Sequence, residues 1–280
     1  MVDLSAVILS VFAAFIFGTY FVPLKKIENV DPHHYQFFVG ISALIISTIA
    51  LFVLNIPFQM NAVGILTGIM WAAANLLVAY ALKYVGVSKV PIAQGTVVLI
   101  SFIWGLVFLQ EAFQSVSLAV AGISLLIVGM PLIAVGEDKT KDLIKGAILL
   151  VFAGLIWGTM FVIPLALKIE MESIILSMAI GIFFFGIGSL LFGRGKLRIQ
   201  TAYNSLFSGA LWSIGNVANI LAVGLVGLAI AGPLAQLAIL FGVGWGLFYF
   251  KEVRNTNKMV KIITGGIMLV LGAVLLALSK

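Results

Sequence analysis

Residues 67–75 read TGIMWAAAN, from Thr67 to Asn75, and residues 208–216 read SGALWSIGN, from Ser208 to Asn216. At one offset of 141 residues, Thr67 answers Ser208, Gly68 answers Gly209, Trp71 answers Trp212 and Asn75 answers Asn216. Gly86/Gly227, Trp104/Trp245, Gly105/Gly246 and Glu111/Glu252 keep the same offset. PIAQ (Pro91 to Gln94) answers PLAQ (Pro233 to Gln236) at 142, and FGTYFV (Phe17 to Val22) answers WGTMFV (Trp157 to Val162) at 140. So many matches, in one order and at nearly one offset, mark two copies of one unit. Internal duplication in an apolar chain is a feature of transporters.

The composition says what surrounds the two copies. Hydrophobic residues make up 62% of the 280 residues, charged residues 9%, and the mean hydropathy is +1.23. A soluble domain carries roughly 25% charged residues. This chain has too few polar side chains to coat a water-exposed surface, so lipid is the expected solvent for most of it. The net charge of +6 does not point to nucleic acid, because the cations fall in short loops between apolar stretches. Cysteine is absent, which excludes disulfides, thiolate metal sites and a Cys nucleophile. The first apolar stretch follows Asp3 with no basic region before it, and reads as a first spanning helix rather than a cleaved leader.

A helix needs about 20 apolar residues to cross the hydrocarbon. The hydropathy pattern predicts ten: about 4–23, 35–54, 62–82, 87–109, 115–134, 145–166, 173–192, 205–225, 229–250 and 259–278. The expected fold is an all-α integral membrane protein. Residues 1–136 form the first five-helix repeat and residues 137–280 the second, together one membrane domain. Five is odd, so the second copy must enter from the opposite face, making the two inverted-topology repeats. Alternate loops hold 14 of the 16 basic residues, and the opposite face holds only Lys168 and Lys280. The positive-inside rule places the basic loops in the cytoplasm and both termini outside, with the plasma membrane as the expected location.

No span carries a charge near its centre, so a charged cargo lacks an evident counter-ion. Lys83, Lys89 and Glu111 fall at span ends, where they are expected to snorkel. Trp71 and Asn75 share one helical face with Thr67, and Ser208, Trp212, Asn216 and Asn219 form the matching stripe. Gln94 and Gln236 follow the helix prolines Pro91 and Pro233 by three residues. Such prolines free backbone carbonyls for a neighbour, water or ligand. Amides both donate and accept, and indoles offer flat apolar faces, a combination that suits a polyol or sugar. The competing reading is that these side chains only tie helices together, at about 0.6 kcal/mol each. Trp104 and Trp245 read as interface anchors. Gly64/Gly68, Gly154/Gly158 and Gly242/Gly246 read as packing spacings, with a homodimer face as the second reading. His33 and His34 read as solvated loop residues beside Asp31, with a proton-coupling role as the sharper alternative. No Walker loop, HExxH or intramembrane carboxylate pair is present, so no catalytic residue, metal or cofactor is expected.

The segment Phe17-Gly18-Thr19-Tyr20-Phe21-Val22-Pro23-Leu24-Lys25-Lys26, followed by Tyr35-Gln36-Phe37, resembles the first-span signature of the glucose/ribose porter family and its eukaryotic transmembrane-144 relatives. That family belongs to the drug/metabolite transporter superfamily, whose ten-span, five-plus-five EamA-like layout is similar to this one. The second copy departs from the signature: Ile163 precedes Pro164, and no Lys pair follows Leu165. Lys25 and Lys26 therefore read as a topology anchor, with a salt bridge to Glu28 or Asp31 as the alternative. The resemblance implies a secondary transporter of monosaccharides, proton-coupled in members of the family. The missing buried acid keeps a facilitator open.

The expected function is therefore secondary transport of a small neutral solute, a monosaccharide first, by alternating access across the bilayer. The expected cargo contacts are Trp71, Asn75, Gln94, Trp212, Asn216, Gln236, Thr19 and Thr159. Gly18, Pro23, Gly158 and Pro164 are the expected hinges. The alternatives are an exporter of amino acids or other small metabolites on the same fold, and a membrane scaffold that moves nothing.

Overall fold

The computed structural model describes residues 4–26, 30–108, 110, 114–135, 140–194, 197–226, 231 and 234–279. Every regular element among them is helical. In chain order these are α1 (Leu4–Thr19), α2 (Val22–Lys25), α3 (Pro32–Leu54), α4 (Ala62–Ala81), α5 (Pro91–Val107) and α6 (Val116–Ala134). They continue with α7 (Thr140–Met160), α8 (Val162–Ala166), α9 (Ile175–Leu190), α10 (Ile199–Val226), α11 (Ala238–Gly244) and α12 (Thr256–Leu278). Nine helical stretches among the described residues are long and apolar enough to cross a membrane. The ninth expected span, about 229–250, is described only in part, as the shorter apolar helix Ala238–Tyr249. Its last turn, Trp245–Tyr249, is π-helical.

Local chemistry sets the helix ends. Asp31 caps α3, accepting from the His33 and His34 backbone N–H groups at 2.8 and 3.3 Å, with Pro32 in the first turn. Asn61 caps α4 through Val63 and Gly64, and Asn255 caps α12 through Lys258. Asn55 closes α3 in the left-handed conformation, which Asn tolerates better than most residues. Two spans are broken. A proline clashes with the carbonyl four residues before it. For Pro23 that residue is Thr19, the last of α1, and for Pro164 it is Met160, the last of α7. The proline positions therefore fix where both helices stop. Tyr20 and Phe21 bridge the first break and Phe161 the second.

In lipid, helices gain little by hiding apolar surface from one another, so close backbone approach must supply the attraction. The α4–α9 seam shows it. A Cβ added at Gly68 would collide with the Met178 carbonyl, and one at Gly181 with the Ile65 carbonyl. Helix α3 packs on α9 and α10, and α4 on α9 and α7. Helix α1 packs on α10 and α11, α5 on α7, and α6 pairs with α12. Of the glycine spacings, Gly64 and Gly68 face α9 and its lead-in turn, Gly154 and Gly158 face α5, and Gly246 faces Ser88 and Glu252. These contacts lie within one chain and are packing contacts. Large apolar side chains such as Phe52, Leu191 and Ile199 point outward, as lipid-facing surfaces require.

Candidate functional site

The matched tryptophans meet. Trp71 on α4 and Trp212 on α10 lie with ring centroids 3.8 Å apart and planes tilted by 34°. Trp157 on α7 also lies against Trp71, with centroids 6.5 Å apart and planes within 24°, and its indole N–H donates to the Trp71 carbonyl at 3.3 Å. All three are buried. Trp157 was not among the expected contacts, although its place in WGTMFV opposite Phe17 was the available signal.

One helical turn from Trp71 is Asn75, fully buried. Its amide oxygen accepts from the Tyr20 hydroxyl at 3.3 Å, and its Nδ2 donates to Gln36 Oε1 at 2.7 Å. Across the bundle, the Ser208 hydroxyl donates to the Tyr20 carbonyl. That commits the Ser208 proton, so the Tyr35 hydroxyl, 2.9 Å away, is the donor to Ser208. The break after α1 is what exposes the Tyr20 carbonyl to Ser208. Tyr20, Tyr35, Gln36, Asn75 and Ser208 thus form a buried, uncharged network beside the indole stack. Tyr20, Tyr35 and Gln36 all fall in the signature segment 17–37, but nothing in their spacing marks them as site residues.

The remaining candidates separate. Asn216 is buried but makes no hydrogen bond to a described residue. Gln94 lines a cavity of about 10 Å³ together with Phe17, Gly18, Phe21, Pro91 and Gly242. That is room for about one water molecule, far below the several hundred Å³ of a ligand pocket. Gln236 is partly buried, and its Oε1 has no partner. Pro233, Gly227, Glu111 and Glu28 lie outside the described residues.

Thr19 and Thr159 are drawn to tryptophans. Trp245 donates its indole N–H to Thr19 Oγ1 at 2.9 Å, and Trp104 donates to Thr159 Oγ1 at 2.9 Å. Trp104 and Trp245 are therefore not free interface anchors. Gly18 and Gly158 are tightly packed: a Cβ would meet Phe241 and the Ala238 carbonyl at the first, and Ile100 and the Val97 carbonyl at the second. Both lie within three residues of a helix break, and Pro23 and Pro164 lie just beyond it.

Two polar expectations change. His33 is half-buried rather than free in a loop, and both ring nitrogens have partners: its Nδ1 is 2.7 Å from Ser189 Oγ and its Nε2 is 2.6 Å from the Tyr80 hydroxyl. His34 is buried against Gly193. Asp31 ties this corner together by also accepting from the Arg194 backbone N–H at 2.8 Å. Partial burial pushes the Asp31 carboxyl up, but the N–H donors of Arg194, His33 and His34 outweigh that and hold it below the usual carboxylate range. Lys89 does not snorkel. It is 1% exposed, with Nζ donating to Ser88 Oγ at 3.2 Å. The turn that carries it is capped by Glu252, whose carboxylate accepts from the Val87 and Ser88 N–H groups at 2.6 and 2.9 Å.

The fold defines a multi-pass integral membrane protein whose centre is lined by indoles and uncharged polar side chains. Residues 8–279 match the family model described as "Sugar transport protein". The chain belongs to that family of transporters and is not an enzyme. Relatives named for sugar uptake include one from Enterococcus faecalis, 29% identical over 86% of this chain and 88% of its own length. Another, from Listeria innocua, is 28% identical over 86% and 87%, and one from Lactococcus lactis is 26% identical over 81% of each chain. A protein of known crystal structure aligns over 99% of this chain and 98% of its own, with a TM-score of 0.66 at 12% identity, a likeness of fold alone.

Proposed function

We propose that the chain carries a monosaccharide across the membrane by alternating access, with residues 1–136 and 137–280 as two inverted halves of a ten-span, drug/metabolite-transporter-like bundle. The observation that carries the reading is the Trp71–Trp212 stack beside the buried Asn75 network. Indole faces suit the C–H faces of a sugar ring, and neutral amides and phenols suit its hydroxyls. The family and its relatives' names point the same way.

The packing supports the duplication. Exchanging the halves turns α1–α10 packing into α4–α7, α1–α11 into α5–α7, and α3–α10 into α4–α9, while α3–α9 and α6–α12 map onto themselves. Each of these pairs finds its counterpart, whereas the α3–α4 contact has no comparable α9–α10 contact. The Trp245–Thr19 and Trp104–Thr159 bonds exchange likewise. Because the cavity beside Gln94 holds no more than a water, this conformation is closed, and cargo enters only after the halves move. The breaks at Tyr20–Phe21 and Phe161, flanked by Gly18, Pro23, Gly158 and Pro164, are where that motion bends the spans. Trp71, Trp212, Asn75, Asn216, Gln94 and Gln236 face cargo, and Thr19 and Thr159 act in closure. The hydrogen-bonded members of the central network are all neutral, which favours a facilitator over proton coupling. The basic loops are cytoplasmic and the membrane is the plasma membrane.

Counterflow of radiolabelled glucose in proteoliposomes tests this. Accumulation abolished by unlabelled monosaccharides, and insensitive to an imposed pH gradient, is the expected result. Competition by amino acids and not by sugars overturns it in favour of a metabolite exporter.

A further inference from the structure

We infer that Gln36 is the specificity-determining donor of the site: its Nε2 hydrogen-bonds one acceptor oxygen of the sugar. The inference deepens the transport reading above and rests on it.

Three observations carry it. Gln36 is fully buried, and its Nε2 is a buried polar atom with no partner. Its orientation is not free, because Oε1 is held by Asn75 Nδ2 at 2.7 Å. The hydroxyl protons nearby are committed, and Asn75 Nδ2 spends one of its two protons on Gln36. The Tyr20 hydroxyl donates to Asn75, the Tyr35 hydroxyl to Ser208, and the Ser208 hydroxyl to the Tyr20 carbonyl. Among these five side chains, Gln36 alone keeps both protons of a donor group unspent. The unpartnered amide oxygens of Asn219 and Gln236 are acceptors and cannot take its place.

The duplication sharpens the point. At the offset of 140 residues that relates Phe17–Val22 to Trp157–Val162, the positions answering Tyr20, Tyr35 and Gln36 are Met160, Ile175 and Leu176. Asn216, which answers Asn75, makes no hydrogen bond to a described residue. Two copies of one unit would give a symmetric site, whereas four of these five side chains, all but Ser208, come from the first half. A buried amide donor left without an acceptor is costly, so a ligand that supplies the oxygen is favoured over one that lacks it.

The test uses full-length protein in proteoliposomes, radiolabelled glucose counterflow, and a panel of monodeoxyglucoses as competitors. Wild type should bind one deoxyglucose about tenfold more weakly than glucose. In Gln36→Met, which removes the donor at similar volume, that one gap should close to within about twofold while the gaps for the other positions persist. A merely structural role would weaken all competitors together and leave their ratios unchanged, and that result in monodisperse protein overturns the inference. Gln36→Asn, which keeps an amide but withdraws it by one methylene, is read by the same ratios if the Met variant does not fold. A wild type that takes every deoxyglucose as well as glucose also overturns the assignment and leaves sugar transport standing. A wild type that accumulates no sugar overturns both.

Discussion

The indole N–H of Trp104 donates to Thr159 Oγ1 at 2.9 Å, and Trp245 repeats the relationship with Thr19 at the same distance. Each threonine also donates its own proton to the carbonyl four residues back, Leu155 for Thr159 and Phe15 for Thr19. That fixes the lone pair presented to the indole. Each bond ties the end of a helix that stops at a break, α7 or α1, to another helical element, α5 or the π-helical turn Trp245–Tyr249.

Thr19→Val and Thr159→Val preserve side-chain shape and remove the acceptor. At about 0.6 kcal/mol per interhelical bond, each should shift the closed-to-open equilibrium about threefold. If the halves are inverted, the two variants open opposite faces. The chain has no cysteine, so single Cys probes near each break report the opening by maleimide labelling. Opening of the same face by both variants would contradict the inverted arrangement.

Asn75 and Asn216 should respond unequally to substitution by Leu. Asn75→Leu leaves the Tyr20 hydroxyl and Gln36 Oε1 without partners, at an expected cost of about 1–3 kcal/mol. Asn216→Leu breaks no bond to a described residue and should leave thermal stability near wild type while lowering counterflow. Thermal unfolding in detergent, paired with counterflow, separates the two effects.

The Asp31 carboxylate has a depressed pKa in the folded chain. Its contribution is therefore present above the unfolded value of about 3.9 and lost as pH falls through the lower folded value. Asp31→Asn keeps a capping oxygen but loses the charge and the second oxygen that accepts from Arg194. At pH 7 it should cost at most about 1 kcal/mol, because the group is partly solvated. Below about pH 4 its melting temperature should fall less steeply than that of wild type, as a pH series of melting curves would show.

The loop charges set a topology experiment. Lys145 and Lys168 are both exposed, one on each expected face. Lys168→Cys should react with an impermeant maleimide on intact cells, and Lys145→Cys only after permeabilisation. The reverse pattern would invert the assignment. Lys89, being buried, is not part of the loop charge, and the basic bias survives without it.

Trp71 and Trp212 were legible as matched positions at one offset, but that their rings meet at 3.8 Å was decided by the tertiary structure. The breaks in the first and sixth expected spans were legible in Pro23 and Pro164, since a proline acts on the carbonyl four residues before it. Tyr20, Tyr35 and Gln36 lie within residues 17–37, yet their sequence does not mark them as members of the central network. Nothing local distinguishes a tyrosine that bonds Asn75 from one that anchors at the interface. His33 read as solvated because its partners, Tyr80 and Ser189, are 47 and 156 residues away.

The sequence by itself determined that the chain lives in lipid and, to within a few residues, where its apolar helices run, and its matched motifs are the ground for the proposed duplication. Hydropathy, caps and prolines act over a few residues, and a repeat offset needs no coordinates. The tertiary structure alone decided which polar groups meet: Tyr35 with Ser208 across 173 residues and Thr19 with Trp245 across 226. In a bilayer a buried polar group must find its partner on another helix, and which helix that is depends on glycine seams such as Gly68 against Met178 that bring two backbones together.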